Sequence, residues 1–137
     1  MFNEPINIGV IGVGHLGQHH VKHYNNIKDA NLVGIFDIDV GRAEKIGEKY
    51  NVPIFQKIEY LLNKVDAVSI VTPTPNHSEI AKLCINQMKH VFIEKPITVT
   101  LDEADELLQL SEEKQVLIQV GHIERLNPAL VALKSYP

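Results

Sequence analysis

Three stretches of this chain combine residue types and spacings that could do chemistry. The first is Gly12-Val13-Gly14-His15-Leu16-Gly17, a Gly-x-Gly-x-x-Gly placed directly after the apolar run Ile6–Ile11 and ahead of a stretch with helical spacing. Gly12 permits a tight turn, Gly14 lets bare backbone approach a pyrophosphate, and Gly17 allows a helix to pack closely on the strand, with phosphates held at the helix N-terminus. Without a ligand, the same motif would be a glycine-rich turn. Its setting between strand and helix is what points to a dinucleotide site. The run Leu32–Phe36 then leads into Asp37, about 20 residues beyond Gly17, where a carboxylate reaches the hydroxyls of an adenosine ribose. An anion at that point repels a 2′-phosphate and so favours NAD over NADP. Arg42 lies close enough to soften that discrimination if its side chain turns inward.

The second stretch, Val71-Thr72-Pro73-Thr74-Pro75-Asn76-His77, follows another apolar run. Its prolines fix the loop shape, while Thr72, Asn76 and His77 offer hydrogen bonds; Asn76 can equally serve as a helix cap. The third, Ile93-Glu94-Lys95-Pro96, leaves a buried strand with a charged pair. Burying such a pair is costly unless it is partnered, so it marks either a functional site or a surface exit. His15, His19, His20 and His23 recur at helical spacing, but no carboxylate or cysteine completes a ligand set, and a partly exposed helix face is expected rather than a metal site.

Elements able to position these loops alternate along the chain. Apolar runs rich in Val and Ile lie at Ile6–Ile11, Leu32–Phe36, Ala67–Val71, His90–Ile93 and Val116–Val120, with a weaker one at Pro53–Phe55. Between them fall helical stripes: Leu16, His20, Tyr24 and Ile27; Ala43, Ile46 and Tyr50; Ile80, Leu83, Cys84 and Met88; Ala104, Leu107 and Leu108. Thr100 and Glu103 form a capping box, and Asn76 and Glu79 a weaker one. Alternating strand and helix predicts an α/β fold, a doubly wound parallel Rossmann sheet with helices on both faces. The three loops then share the carboxyl end of that sheet.

Seventeen acidic against thirteen basic side chains give a net charge of −4, which argues against a nucleic-acid partner. No run is long and apolar enough to span a membrane, and no secretory leader is evident, so a cytoplasmic protein is expected. The lone cysteine, Cys84, falls on an apolar stripe and reads as a small hydrophobe in a reducing compartment.

Taken together, these residues resemble the N-terminal domain of the Gfo/Idh/MocA family of NAD(P)-dependent oxidoreductases. The resemblance is carried by the glycine loop, Asp37, Asp66 to His77, Glu94-Lys95-Pro96 and Gly121-His122-Ile123-Glu124-Arg125-Leu126-Asn127-Pro128. It implies hydride transfer between the cofactor and a sugar, nucleotide-sugar or cyclic polyol hydroxyl. The ending from Gly121 looks like that of members acting on nucleotide-linked amino sugars, such as UDP-N-acetylglucosamine 3-dehydrogenases. The cofactor contacts implied are Gly12, Gly14, His15, Leu16 and Gly17; Asp37, Ile38 and Arg42; Thr72, Pro73, Thr74, Asn76 and His77; and Glu94, Lys95, Pro96 and Arg125. Lys95 is the implied catalytic residue, its ammonium partly desolvated at the strand end, with a cis peptide bond to Pro96 turning it into the cleft. Residues 1–121 are expected to form the dinucleotide-binding domain and 122–137 to begin a connection. Family members continue into a larger α/β domain that supplies a catalytic histidine and most substrate contacts, so a truncated chain is expected that binds cofactor but is inactive alone, and a homo-oligomer in full-length form. The alternative is a non-catalytic module that binds or senses NAD(H).

Overall fold

The computed structural model describes residues 4–133. Five strands, β1 (Ile6–Ile11), β2 (Ala30–Phe36), β3 (Ala67–Ile70), β4 (His90–Ile93) and β5 (Ile118–Val120), form a wholly parallel sheet in the order β2-β1-β3-β4-β5. The helices are α1 (Gly17–Tyr24), α2 (Val40–Tyr50), α3 (Ile58–Leu62), α4 (His77–Asn86), α5 (Leu101–Lys114) and α6 (Pro128–Leu133). The Rossmann expectation is met. Winding runs outward from β1 to β2, then returns past β1 to β3, so the chain changes direction in space between β1 and β3. A crevice opens at the carboxyl ends of strands at such a switch point.

Strand alternation divides the interior into two cores. On one face Val10, Val21, Ile35, Ile46 and Val52 join β1 and β2 to α1 and α2. On the other, Ile11, Val68, Ile70, Val91 and Ile93 pack on Leu61, Leu62, Ala81, Cys84, Ile85 and Leu107 from α3, α4 and α5. Neighbours Val10 and Ile11 therefore belong to opposite cores, as the two-residue side-chain period of a strand requires. Cys84 is wholly buried, and burial pushes its thiol up to about 12.

Several boundaries differ from the sequence reading. Pro53–Phe55 is not a strand: only Ile54 bridges Ile35, with the Ile35 N–H donating to the Pro53 carbonyl and the Phe55 N–H to the Ile35 carbonyl. Pro53 has no N–H to extend that ladder. The short helix α3 carries no separate expectation; Ile58, Leu61 and Leu62 are too few to declare a stripe, yet Leu61 and Leu62 are fully buried. The Thr100 capping box forms as expected, with the Glu103 N–H donating to Thr100 Oγ1 at 3.2 Å and the Thr100 N–H to Glu103 Oε2 at 3.0 Å. Asn76 makes no side-chain cap, because a 3-10 turn over Thr74–Asn76 feeds directly into α4. At the stripe edges, Leu16, Ile27, Met88 and Leu108 are exposed rather than buried. The connection expected at 122–137 is described to Leu133, with a 3-10 turn at Ile123–Leu126 ahead of α6; residues 134–137 lie outside the described part.

Candidate functional site

Each glycine of the first loop meets a different constraint. Gly12 has φ +87, and a Cβ there would sit 2.7 Å from the Val71 carbonyl oxygen. At Gly17 a Cβ would fall 1.9 Å from the Gly12 carbonyl oxygen, so only a bare residue lets α1 start against β1. Gly14 is different: a Cβ would meet nothing nearer than Arg42 Nη1 at 4.0 Å. Packing does not demand glycine at that position. Its absent side chain instead leaves backbone bare towards a cleft of about 750 Å³.

The cleft lies at the switch point, and its walls bring together Gly12, Gly14, His15 and Leu16 from the glycine loop, Asp37, Ile38 and Arg42 from the end of β2, and Thr72, Pro73 and Asn76 from the loop after β3. Helix α1 opens onto it with no side-chain cap at Leu16 and no acidic residue in its first turn; the Gln18 and His19 N–H groups are taken by the Gly14 and Leu16 carbonyls, while the positive end of the helix stays open to an anion. Thr72 Oγ1 is buried without a hydrogen-bond partner among the described residues. Bare backbone, an uncapped helix start and an unsatisfied buried hydroxyl fit a pyrophosphate-containing ligand.

Asp37 is more constrained than its spacing implies. Its side chain is only 3% exposed. Oδ2 accepts the Val13 N–H at 2.8 Å and Oδ1 the Asp39 N–H at 2.9 Å, while Arg42 Nη1 lies 3.3 Å from both oxygens. Arg42 has thus turned inward; its other terminal nitrogen donates to Asp39 Oδ2 at 3.1 Å. The carboxylate organises the glycine loop before any ribose is present, and its charge is shared with a guanidinium.

Other expected residues stand elsewhere. Gly17 is buried beneath the loop. Thr74 begins the 3-10 turn and does not border the first cleft. His77 is 1% exposed, with Nδ1 3.0 Å from the Pro96 carbonyl oxygen and Nε2 2.8 Å from that of Thr72; it ties two loops together instead of reaching into the cleft. Lys95 and Arg125 line a second cleft, of about 450 Å³, with Gly121, His122, Ile123, Glu124 and Leu130. The Lys95–Pro96 bond is cis, as expected. The Lys95 side chain is exposed rather than desolvated, because β4 ends at Ile93 and the lysine stands beyond the last residue paired in the sheet. Glu94 faces the α1 side, bonded to His20. His20 itself turns inward, unlike the exposed His15, His19 and His23, so the histidine stretch is not one uniform surface face.

Sequence reasoning missed Ile11, Phe36, Ile58, Val71, Glu79 and Ile80 as lining of the first cleft. For Ile11, Phe36 and Val71 the available signal was position, since each closes an apolar run at the carboxyl end of the sheet. Ile58, Glu79 and Ile80 carried no comparable mark.

The order of the sheet and the loop geometry define a dinucleotide-binding Rossmann domain, and residues 6–122 match the sequence pattern of an oxidoreductase family with an NAD-binding Rossmann fold. The chain belongs to that family, Gfo/Idh/MocA. It is 40% identical over 127 residues to the UDP-N-acetylglucosamine 3-dehydrogenase of Acidithiobacillus ferrooxidans, covering 93% of this chain and 40% of that protein. A solved structure of that enzyme superposes with a TM-score of 0.91 at 39% identity, over 98% of this chain and 43% of the other. The scyllo-inositol 2-dehydrogenase (NAD(+)) of Bacillus subtilis is 32% identical over 135 residues, covering 96% of this chain and 40% of that protein. The chain spans about 40% of the length of these curated relatives.

Proposed function

We propose that this chain is the cofactor-binding part of an enzyme that moves hydride between NAD and a secondary hydroxyl of a sugar, nucleotide sugar or cyclic polyol. The observation that carries this is the cleft at the β1/β3 switch point, where bare Gly14 backbone, the uncapped start of α1, Asp37 and the unsatisfied Thr72 hydroxyl converge. Gly14, His15 and Leu16 would hold the pyrophosphate, Asp37 an adenosine ribose hydroxyl, and Ile38 and Ile80 an adenine face. When bound, NAD supplies the hydride acceptor. Asp37 disfavours a 2′-phosphate, and Arg42 beside it narrows that preference without reversing it.

Lys95 stands at the carboxyl end of β4 in the second cleft, where it would meet the substrate hydroxyl that loses its proton and act on it with a histidine from a further domain; Arg125 on the same wall would supply a cation for a phosphorylated or nucleotide-linked substrate. The dehydrogenase names of the two relatives support this substrate class. Residues 122–137 would lead into a further domain that completes the substrate site, in a soluble, cytoplasmic, self-associating enzyme. The test is a fluorescence titration of the chain with NADH and NADPH, and assay of the full-length protein with NAD and UDP-N-acetylglucosamine. Tighter NADH binding is expected, together with turnover that Lys95→Met removes while NADH affinity stays within a few-fold. Lys95→Met turnover close to that of the unaltered protein would refute the assignment of the lysine, and cofactor binding without turnover of any sugar or polyol would favour a sensing module.

A further inference from the structure

A polar chain lies under α1, outside both clefts. Ser69, in the middle of β3, is fully buried on the sheet face opposite Val68 and Ile70, so its hydroxyl needs a partner from α1. His20 supplies it: Nδ1 lies 2.8 Å from Ser69 Oγ and Nε2 3.1 Å from Glu94 Oε1. The His20 and Glu94 side chains are 18% and 13% exposed. The imidazole meets the Phe92 ring edge-on, with centroids 5.5 Å apart. Glu94 Oε2 accepts the Lys95 N–H at 3.1 Å. On the far side of that carboxylate there is no slack, because a Cβ on Gly121 would come within 3.2 Å of both oxygens.

With the imidazole neutral, the chemistry of these partners sets the direction of each bond it makes. An ionised carboxylate only accepts and the Lys95 N–H only donates, so His20 Nε2 carries the hydrogen that goes to Glu94. In the neutral ring Nδ1 is then left with a lone pair, and the Ser69 hydroxyl donates to it, its oxygen still able to accept from Tyr24, which also bonds Ser69. A single neutral tautomer satisfies every contact from β3 to Lys95.

We propose that His20 is a positioning residue for the reactive end of the site: held as the Nε2–H tautomer by Ser69, it fixes the Glu94 carboxylate, which in turn sets the backbone of Lys95. This rests on the reading of Lys95 given above for its purpose, though not for the coupling itself. It also assigns work to one of the four clustered histidines and explains why Glu94 precedes the lysine: its charge stays on the α1 side, away from the cleft that Lys95 lines.

The test uses this chain labelled uniformly with 15N, which reports both the histidine rings and the Lys95 amide. At pH 7, His20 is expected to show the Nε2–H tautomer; an Nδ1–H tautomer or a doubly protonated ring would overturn the proposal. Two variants separate positioning from packing. His20→Gln places an amide N–H close to the Nε2 position, whereas His20→Asn places one close to Nδ1 and leaves Glu94 without its donor. His20→Gln should retain the Lys95 amide resonance and its hydrogen exchange, and His20→Asn should shift that resonance and speed exchange about tenfold. Equal Lys95 amide behaviour in both folded variants, or loss of the resonance in His20→Gln alone, would refute it. NADH titration of the same samples separates the two readings. A chain that binds no NADH overturns the function proposed for the cleft, while the tautomer and the Lys95 amide still decide the role of His20.

Discussion

Replacing Asp37 with alanine should destabilise the chain even in the absence of nucleotide. A carboxylate that only reads a ribose would leave the free protein unaffected. Here it also accepts the buried Val13 N–H and the partly buried Asp39 N–H, and it pairs with Arg42. Stranding a buried donor costs about 1–3 kcal/mol, and losing a bond whose donor water can reach costs about 0.5–1.5 kcal/mol. Arg42 is 46% exposed, so its share stays below about 1 kcal/mol after solvent screening. The sum is about 3 kcal/mol. For a chain of this size, between the ranges tabulated for smaller and larger domains, that corresponds to a fall of about 10 °C in Tm. Thermal melts of the unliganded chain followed by circular dichroism would measure it, with Asp37→Asn falling in between because an amide oxygen still accepts from Val13. Arg42→Ala serves as the control and should move the midpoint by no more than about 3 °C. If Asp37→Ala melted within about 2 °C of the unaltered chain, the carboxylate would not be organising the loop, and the argument from its hydrogen bonds would fail.

Gly14→Ala should leave stability unchanged or raise it by about 0.5 kcal/mol, since its Cβ enters open space, yet weaken NADH binding at least about tenfold in a fluorescence titration. Gly17→Ala should do the reverse damage, costing about 3 kcal/mol or more in denaturant melts because its Cβ strikes the Gly12 carbonyl. Cys84, with its thiol pushed up to about 12, should resist alkylation at pH 8 in the folded chain and react at once in denaturant; modification of the native protein at the rate of a free thiol would contradict its placement. Burial, the larger influence, holds the His20 imidazole below its usual 6.5, with charges on His19 and His23 acting in the same direction and Glu94 opposing; β3 presents only the Ser69 hydroxyl. The unfolded chain therefore takes up that proton more readily than the folded one, so the stability His20 contributes is present above pH 6.5 and declines as pH falls below it. Melting curves from pH 7.5 to 5 should fall less steeply in His20→Gln than in the unaltered chain.

Much of the architecture was readable because parallel strands buried on both faces leave an unbroken apolar signature, and each of the five runs became a strand within a few residues. The glycine loop was readable for a related reason: Gly12 and Gly17 answer to steric limits that no other residue meets. What stayed hidden depends on which way a side chain turns. Spacing placed Asp37 at the end of β2 but could not show that two backbone N–H groups and Arg42 already occupy its oxygens. Nothing in the run of four histidines separates His20 from His19, since one residue of helix rotation decides which of them meets Ser69 and Glu94. His77 was read as a ligand candidate because a polar residue beside a proline loop looks available, whereas its buried ring is enclosed between the Thr72 and Pro96 carbonyl groups.

The position of β1 governs the order in which this molecule can assemble. Its partners are β2, supplied by the next stretch of chain, and β3, in which Ala67 pairs back with Ile8 across nearly half of the described sequence. The first strand-helix-strand unit can collect locally, but the crevice between β1 and β3 has no second wall until that distant stretch arrives and pays its loop-closure cost. Pairing across so long a loop makes folding slow relative to a helical protein of equal length, and it places the completion of the nucleotide cleft among the late events. A partly folded species lacking β3 has only one wall of that cleft and should bind the nucleotide weakly. Ligand added during refolding should therefore leave the early phases alone and act only on the finished state, lowering the rate of unfolding rather than raising that of folding.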